Sequence, residues 1–349
     1  MDLTLSLYLG VDVSKKTLAA ALLDQNDKTL WTSKSLPNST AGFAKLMECV
    51  TRVAAKKSTG GDYVVEAGME ATGVYGEQLA YYMNDNNDRG RIRTYILNPA
   101  SVKAYGETVL APNKNDAADA KLIASYMSMS VPKGQISPWK APSPEERELR
   151  ELSRRRDELM YLRIEELNRR EKLRHMNKVP HALLDDINSH INYLDEAISS
   201  MEKAINEHID NEPKQKEDIG LLKSIPGIGD VNSVTLKSEM IDIERFESAK
   251  NLVSFVGIAP REHSSGTSVH RRPRISRRGN ARIRHHLFMA ALVAIRVNPA
   301  IKEFYDRLLE RKKSKKQAIV ASMRKLLNII WAVLKNRKAF APQYALQLA

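Results

Sequence analysis

The sequence predicts an α/β domain at the N-terminus, a central helical coiled coil, and a mainly α-helical C-terminal domain. Three observations set this order. Strand-like runs broken by turn residues fill the first 130 or so positions. A nearly unbroken helical pattern then extends to about residue 210, its second arm carrying apolar residues alternately three and four apart. A glycine-containing turn and an arginine-dense segment follow, ahead of amphipathic helices that run to about residue 337. The boundaries fall at 1–135, 136–215 and 216–349.

In the first region, LSLYLGVDVS, TLAAALLDQ and TLWTSKSLP are consecutive strand-like runs separated by turn formers such as Asp24, Asn26 and Asp27. A helical run at Ala41–Val53, the β-like YVVEAGME, a second helix near Tyr75–Met83 and the strand RTYIL come next. Short helical stretches carrying DAADAKLIASYM follow Asn98–Pro99. Three strands followed by strands alternating with helices is the order of a ribonuclease H-like sheet.

The composition shifts at Pro138–Pro144, and from there only Lys178–Val179–Pro180 interrupts a helix. Leu184, Ile187, Ile191, Leu194, Ile198, Met201 and Ile205 form an a/d seam, which predicts an antiparallel hairpin or coiled coil. Such a hairpin could pack on its own domain or join copies of the chain. The charged first arm, RELRELSRRRDELMYLRIEELNRREK, reads largely as solvated face.

Charge narrows the function. A formal net charge of +13 and a pI near 9.6 point to a polyanionic partner, either nucleic acid or an anionic membrane. No run approaches the roughly 18 apolar residues that span a bilayer. The N-terminus lacks a basic n-region and carries Asp12 inside its apolar run, unlike a signal peptide. Cys49 is the sole cysteine, which excludes an internal disulfide and a cysteine-rich zinc module. A nucleic-acid partner in a reducing cytoplasm is the expectation.

Several residues carry chemistry. Asp12 interrupts an apolar strand, where a buried charge needs a compensating cation or hydrogen bonds. Glu70 ends the second β-like run, in MEATG, and Gly73 permits a tight exit. Asp116 and Asp119 lie three apart, on one face of a helix. Asn115 as N-cap with acids in the first turn accounts for that pair structurally as well. The order strand-Asp, strand-Glu, helix-Asp-x-x-Asp matches a ribonuclease H-like active site, where carboxylates hold Mg²⁺ for phosphoryl transfer. IPGIGDV (Ile225–Val231) reads either as a phosphate-approaching helix-hairpin-helix turn or as a plain connection. HRRPRISRRGNARIRHH carries Arg271, Arg272, Arg274, Arg277, Arg278, Arg282 and Arg284, a density suited to nucleic-acid contact. HSSGTS, just before it, is a flexible loop by composition, or the place for a serine nucleophile whose phosphate the arginines neutralise.

Together these segments resemble the DEDD-type transposases of the insertion-sequence-110 group, which are bridge-RNA-guided recombinases, over nearly the whole chain. GVDVSKKTL, MEATGVYGEQLA, LNPASVKAYG and NKNDAADAKLIA resemble the family's RuvC-like N-terminal domain. SIPGIGDVNSVTL, ERFESAKNLVSFVGIAPRE, SSGTS and RPRISRRGNARIRHHLFMAAL resemble its C-terminal transposase domain. The resemblance implies that Asp12, Glu70, Asp116 and Asp119 hold Mg²⁺. It also implies that Ser265, which directly precedes Gly266 where Ser264 does not, attacks the scissile phosphate. Glu66 is set aside because Ala-Thr-Gly does not follow it. Further implications are donor and target DNA, a guide (bridge) RNA, and a dimer or tetramer whose copies bring acidic and serine half-sites together. The competing reading is a Holliday-junction-resolvase-like nuclease that uses the same carboxylates with water as nucleophile.

Overall fold

A computed structural model describes residues 4–59, 61–71, 73–87, 90–110, 115–265, 269–275 and 279–342; for 74, 260–265 and 269–274 it describes the backbone alone. The chain forms two compact units, Met1–Ala141 and Pro142–Ala349.

In the first unit, β1 (Leu5–Val13), β2 (Thr17–Leu23) and β3 (Thr29–Pro37) form an antiparallel meander. After α1 (Thr40–Lys57), β4 (Tyr63–Glu70) joins β1 in parallel. After α2 (Val74–Asp85), β5 (Ile92–Leu97) joins β4, also in parallel. The resulting order, β3-β2-β1-β4-β5, is that of the expected ribonuclease H-like sheet. Helices α3 (Pro99–Thr108) and α4 (Asp116–Ser130) complete the unit.

The alternation of β1 decides which helix covers which face. Leu7, Leu9, Val11 and Val13 point into a core with Phe43, Leu46 and Val50 of α1 and Leu79 and Met83 of α2. Tyr8, Gly10 and Asp12 point the other way, to the side that α4 covers with Ala120, Ile123, Ala124 and Met127. Helix α1 begins where the Ser39 side chain accepts a hydrogen bond from the Gly42 amide, 3.4 Å.

The second unit opens with α5 (Pro144–Leu173), started by a capping box between Ser143 and Glu146. Helix α6 (His181–Asn211) returns alongside it. The seam is internal: Ile187, Ile191, Leu194, Ile198 and Ile205 are buried, and Leu159 of α5 packs with Leu194 and Ile198. An Arg163–Asp195 ion pair and a His190–Glu166 hydrogen bond, 3.1 Å, link the two arms in antiparallel register. The structure thus has the expected hairpin, within the same compact unit as the C-terminal helices. Leu149, Ile205 and Ile209 at its base share a cluster with Ile219 and Val234 further along the chain.

Then come α7 (Pro213–Lys223), α8 (Asp230–Met240), a 3₁₀ turn at Ile243–Arg245 and α9 (Ala249–Val256). Strands β6 (Pro260–Ser265) and β7 (Val269–Ile275) form an antiparallel ribbon, where loop and helix were expected. Helices α10 (Ala281–Val297), α11 (Pro299–Glu310) and α12 (Lys315–Asn336) close the unit. Among the described residues α12 is long and apolar enough to cross a bilayer by length and composition only, and 61% of its most apolar stretch is buried in the helical core.

Candidate active site

Two glycines build the floor of the acidic site. Gly10 and Gly68 are neighbours across β1 and β4. A Cβ on Gly10 would lie 2.1 Å from the Ala120 carbonyl oxygen, and one on Gly68 would lie 2.6 Å from Met127 Sδ. Only bare glycine lets α4 descend this far onto the sheet. Asp12 and Glu70 stand two residues beyond these glycines on the same face, so the two carboxylates share one end of the parallel pair.

The helix supplies the other two. Asn115 caps α4 by accepting a hydrogen bond from the Ala118 amide, 2.9 Å, which places Asp116 and Asp119 in the first turn. With Ala120 lodged on Gly10, Asp116 lies one turn earlier, about 6 Å along the axis. Asp12 lies about 6.7 Å further along its strand, and the two steps meet. Electrostatics bears this out. Asp12 is held above the ordinary aspartate range by burial, then by Asp116 and then by Asp119. Glu70 is likewise raised by burial, then by Asp12 and by Asp119. Asp12 therefore lies near Asp116 and Asp119, and Glu70 near Asp12 and Asp119.

The cluster is open: among the described residues no three His, Cys, Asp or Glu side chains close around a common metal-sized point. The donors nonetheless suit a hard divalent cation, being all oxygen and anionic. A backbone hydrogen bond from Val13 lowers Asp12, but burial and its acidic neighbours outweigh it.

Glu66 lies on the same face of β4, four residues before Glu70, and is 3% exposed. It accepts hydrogen bonds from Tyr95 Oη (2.9 Å) and Arg93 Nη1 (3.3 Å). Its carboxylate thus has partners within the protein.

In the second unit, Ser265 is the last residue of β6 and pairs in register with Val269. Gly266, Arg277 and Arg278 lie outside the described residues. Arg271 of β7 pairs with His263 of β6, Arg274 pairs with Arg261, and Arg272 lies between them on β7. Arg282 and Arg284 of α10 are engaged inside the unit. Arg282 donates to Glu239 (2.8 Å), to the Ser153 carbonyl (3.0 Å) and to Asp157. Arg284 donates to the Val256 carbonyl, 2.8 Å. Glu239 also receives Arg154 in bidentate fashion (2.8 and 3.1 Å) and Asn280 (2.7 Å). Asp157 further pairs with His286, 3.0 Å, whose other ring nitrogen meets Asn232 at 3.0 Å. Burial works to raise Asp157, but His286 and Arg282 outweigh it and hold its pKa at about 2.

The IPGIGDV turn divides by glycine. Gly227, at φ +104°, packs on α10, where a Cβ would meet Ala294 Cβ at 2.6 Å. Gly229, at the N-terminus of α8, faces open space. The first glycine is thus required for packing, and the second leaves backbone accessible.

The fold is a ribonuclease H-like sheet with Asp12 and Glu70 at one end of its central parallel pair and Asp116 and Asp119 on the covering helix. Sequence comparison narrows this. The profile described as the Transposase IS116/IS110/IS902 family matches residues 220–306, and a DEDD transposase profile of IS110 type matches residues 9–176. The Pilin gene-inverting protein of Moraxella bovis is 31% identical over 334 residues, covering 95% of this chain and 97% of that protein. The transposase for insertion sequence element IS1111A of Coxiella burnetii is 26% identical over 365 residues, covering 95% and 90%. The chain belongs to the IS116/IS110/IS902 transposase family and is a DNA transposase or recombinase. Among solved structures, T. thermophilus RuvC in complex with a Holliday junction substrate is similar at 16% identity, with a TM-score of 0.28, over 38% of this chain and 99% of that one.

Proposed function

We propose that this transposase cuts and rejoins DNA through a covalent serine intermediate, with Asp12, Glu70, Asp116 and Asp119 holding Mg²⁺ at the scissile phosphate. One observation carries the acidic half: Asp12 and Glu70 are raised by burial and by their acidic neighbours, the signature of carboxylates arranged for a cation. The bound ion would neutralise charge on the phosphate and its leaving oxygen. A bond forms from Ser265 Oγ to phosphorus while one P–O bond breaks. The serine proton passes to a nearby base, and the departing oxygen leaves as a hydroxyl. Strand exchange is the reverse step with a different hydroxyl, so bond energy is conserved without a nucleotide cofactor. Arg271, Arg272, Arg274, Arg277 and Arg278 contact the DNA backbone around that serine. Arg282 and Arg284 hold the unit together instead, since their guanidinium groups already have internal partners.

A structured guide RNA pairs with donor and target DNA, and two or four copies assemble so that acidic and serine half-sites meet. The relative that inverts a pilin gene, by its name, supports site-specific recombination. The test is direct. Ser265→Ala abolishes strand exchange, and wild-type protein leaves a DNA adduct that survives denaturing electrophoresis. Normal recombination by Ser265→Ala would instead support the water-using nuclease reading. Ribonuclease treatment that leaves recombination undiminished rules out RNA guidance.

A further inference from the structure

The turn joining α11 to α12 carries Arg311, Lys312, Lys313, Lys315 and Lys316 within six residues, all exposed. None of them has an ion pair or side-chain hydrogen bond with a described residue. From Arg307 to Lys316 only Glu310 opposes them. A solvated basic face is the ordinary reading of such a run, and three placements argue against it.

First, Lys312 sits in the left-handed region at φ +57°, ending α11 where glycine is the favoured residue. Second, Lys315 and Lys316 occupy the first turn of α12, which contains no acid. Cations there oppose the helix dipole. The other end of the same helix shows the contrast. There the dipole favours cations, and Lys335 pairs with Glu244 at 2.5 Å while Arg337 pairs with Glu217 and Asp218. Third, the five like charges repel one another with nothing between them. Charge has been placed where local physics disfavours it and left unpaired.

We propose that the α11–α12 turn is a second DNA-binding surface, one that grips the phosphate backbone of duplex DNA without reading its sequence. A single phosphate needs two or three donors, whereas five cations on one short turn match a repeating polyanion. Duplex DNA offers about one charge per 1.7 Å of axis. Four of the five cations are lysines, flexible point charges suited to unspecific backbone contact rather than to bidentate base recognition. The surface is distinct from the β6–β7 ribbon and its arginines, and it would hold DNA flanking the reacting phosphate.

The test is binding of full-length, nucleic-acid-free protein to a short labelled DNA duplex across a salt series. Replacing Lys312, Lys313, Lys315 and Lys316 by Gln together should flatten the slope of log affinity against log salt by about 3–4 and weaken binding about 10- to 100-fold near 0.1 M salt. The matching Lys→Arg variant should keep the wild-type slope, which separates charge from damage to the fold. Unchanged affinity and slope in the Gln variant overturn the proposal and leave the turn a solvated face. So does a loss confined to duplex RNA, or an Arg variant as weak as the Gln variant.

Discussion

At the scale of single residues, the acidic site depends on a pattern shorter than any motif, glycine-x-acid on two adjacent parallel strands. Gly10-Val11-Asp12 and Gly68-Met69-Glu70 repeat it in register. Each glycine admits α4 and each acid follows on the face so cleared. Gly10→Ala would drive a methyl into the Ala120 carbonyl, so we expect destabilisation of at least about 1–3 kcal/mol and loss of activity at temperatures where the fold survives. Thermal melting and cleavage assays would check both. Asp12 makes the opposite prediction for stability. Its folded pKa lies above its unfolded value, so its ionised form costs stability at neutral pH and the cost fades as pH falls through the raised value. Asp12→Asn should therefore melt higher than wild type at pH 7 without metal, with the difference shrinking towards pH 4, while cleavage is lost. A variant that melts lower than wild type at neutral pH would show that Asp12 is already compensated. The sequence pointed to the acids through their order. The glycines went unread because their role lies in the approach of a helix far along the chain, at Ala120 for Gly10 and Met127 for Gly68.

At the scale of elements, the arginine-dense segment separates into two jobs. Its composition is uniform, but β7 carries its first part in a ribbon, and α10 turns Arg282 towards α5 and α8 and Arg284 towards α9. Arg282 bridges Asp157 of α5 and Glu239 of α8, and Glu239 is only 3% exposed. Arg282→Ala would leave Glu239 to Arg154 and Asn280 and Asp157 to His286, so the cost should be that of lost charge-assisted hydrogen bonds, about 1.5–3 kcal/mol, with a lowered melting temperature. Arg271→Ala should lower DNA affinity and leave melting unchanged. If Arg282→Ala melts like wild type, the network does not hold the hairpin. The same network sets an acid limit. Asp157 has a folded pKa near 2, below its unfolded value, so its contribution is full above about pH 4 and is lost as pH falls towards 2. An Asp157→Asn variant should flatten acid unfolding in that window. Helix periodicity made α5 and α6 legible, and the Ile187–Ile205 seam is buried as the spacing implied. The β6–β7 ribbon was not legible, because Ser, Gly and Arg-Pro runs carry no strand alternation.

At the scale of the whole molecule, the protein is two compact units carrying different chemistry, carboxylates in one and the serine with its arginines in the other. The metal prediction belongs here. Mg²⁺ at a hundred times its dissociation constant should stabilise the wild-type protein by about 2.7 kcal/mol, and Asp12→Asn/Glu70→Gln should abolish that shift. A shift of equal size in the double variant would place the ion elsewhere.

The sequence by itself determined the sheet, the helical hairpin and the family, because each is written in local periodicity or in an ordered motif. Tertiary structure alone decided how far α4 descends on Gly10 and Gly68, which carboxylates raise one another, and that Arg282 and Arg284 meet partners inside their own unit. Those facts depend on distances between residues far apart in the chain. Local spacing specifies a face or a period, whereas the charge a side chain meets is set by whatever the fold packs against it.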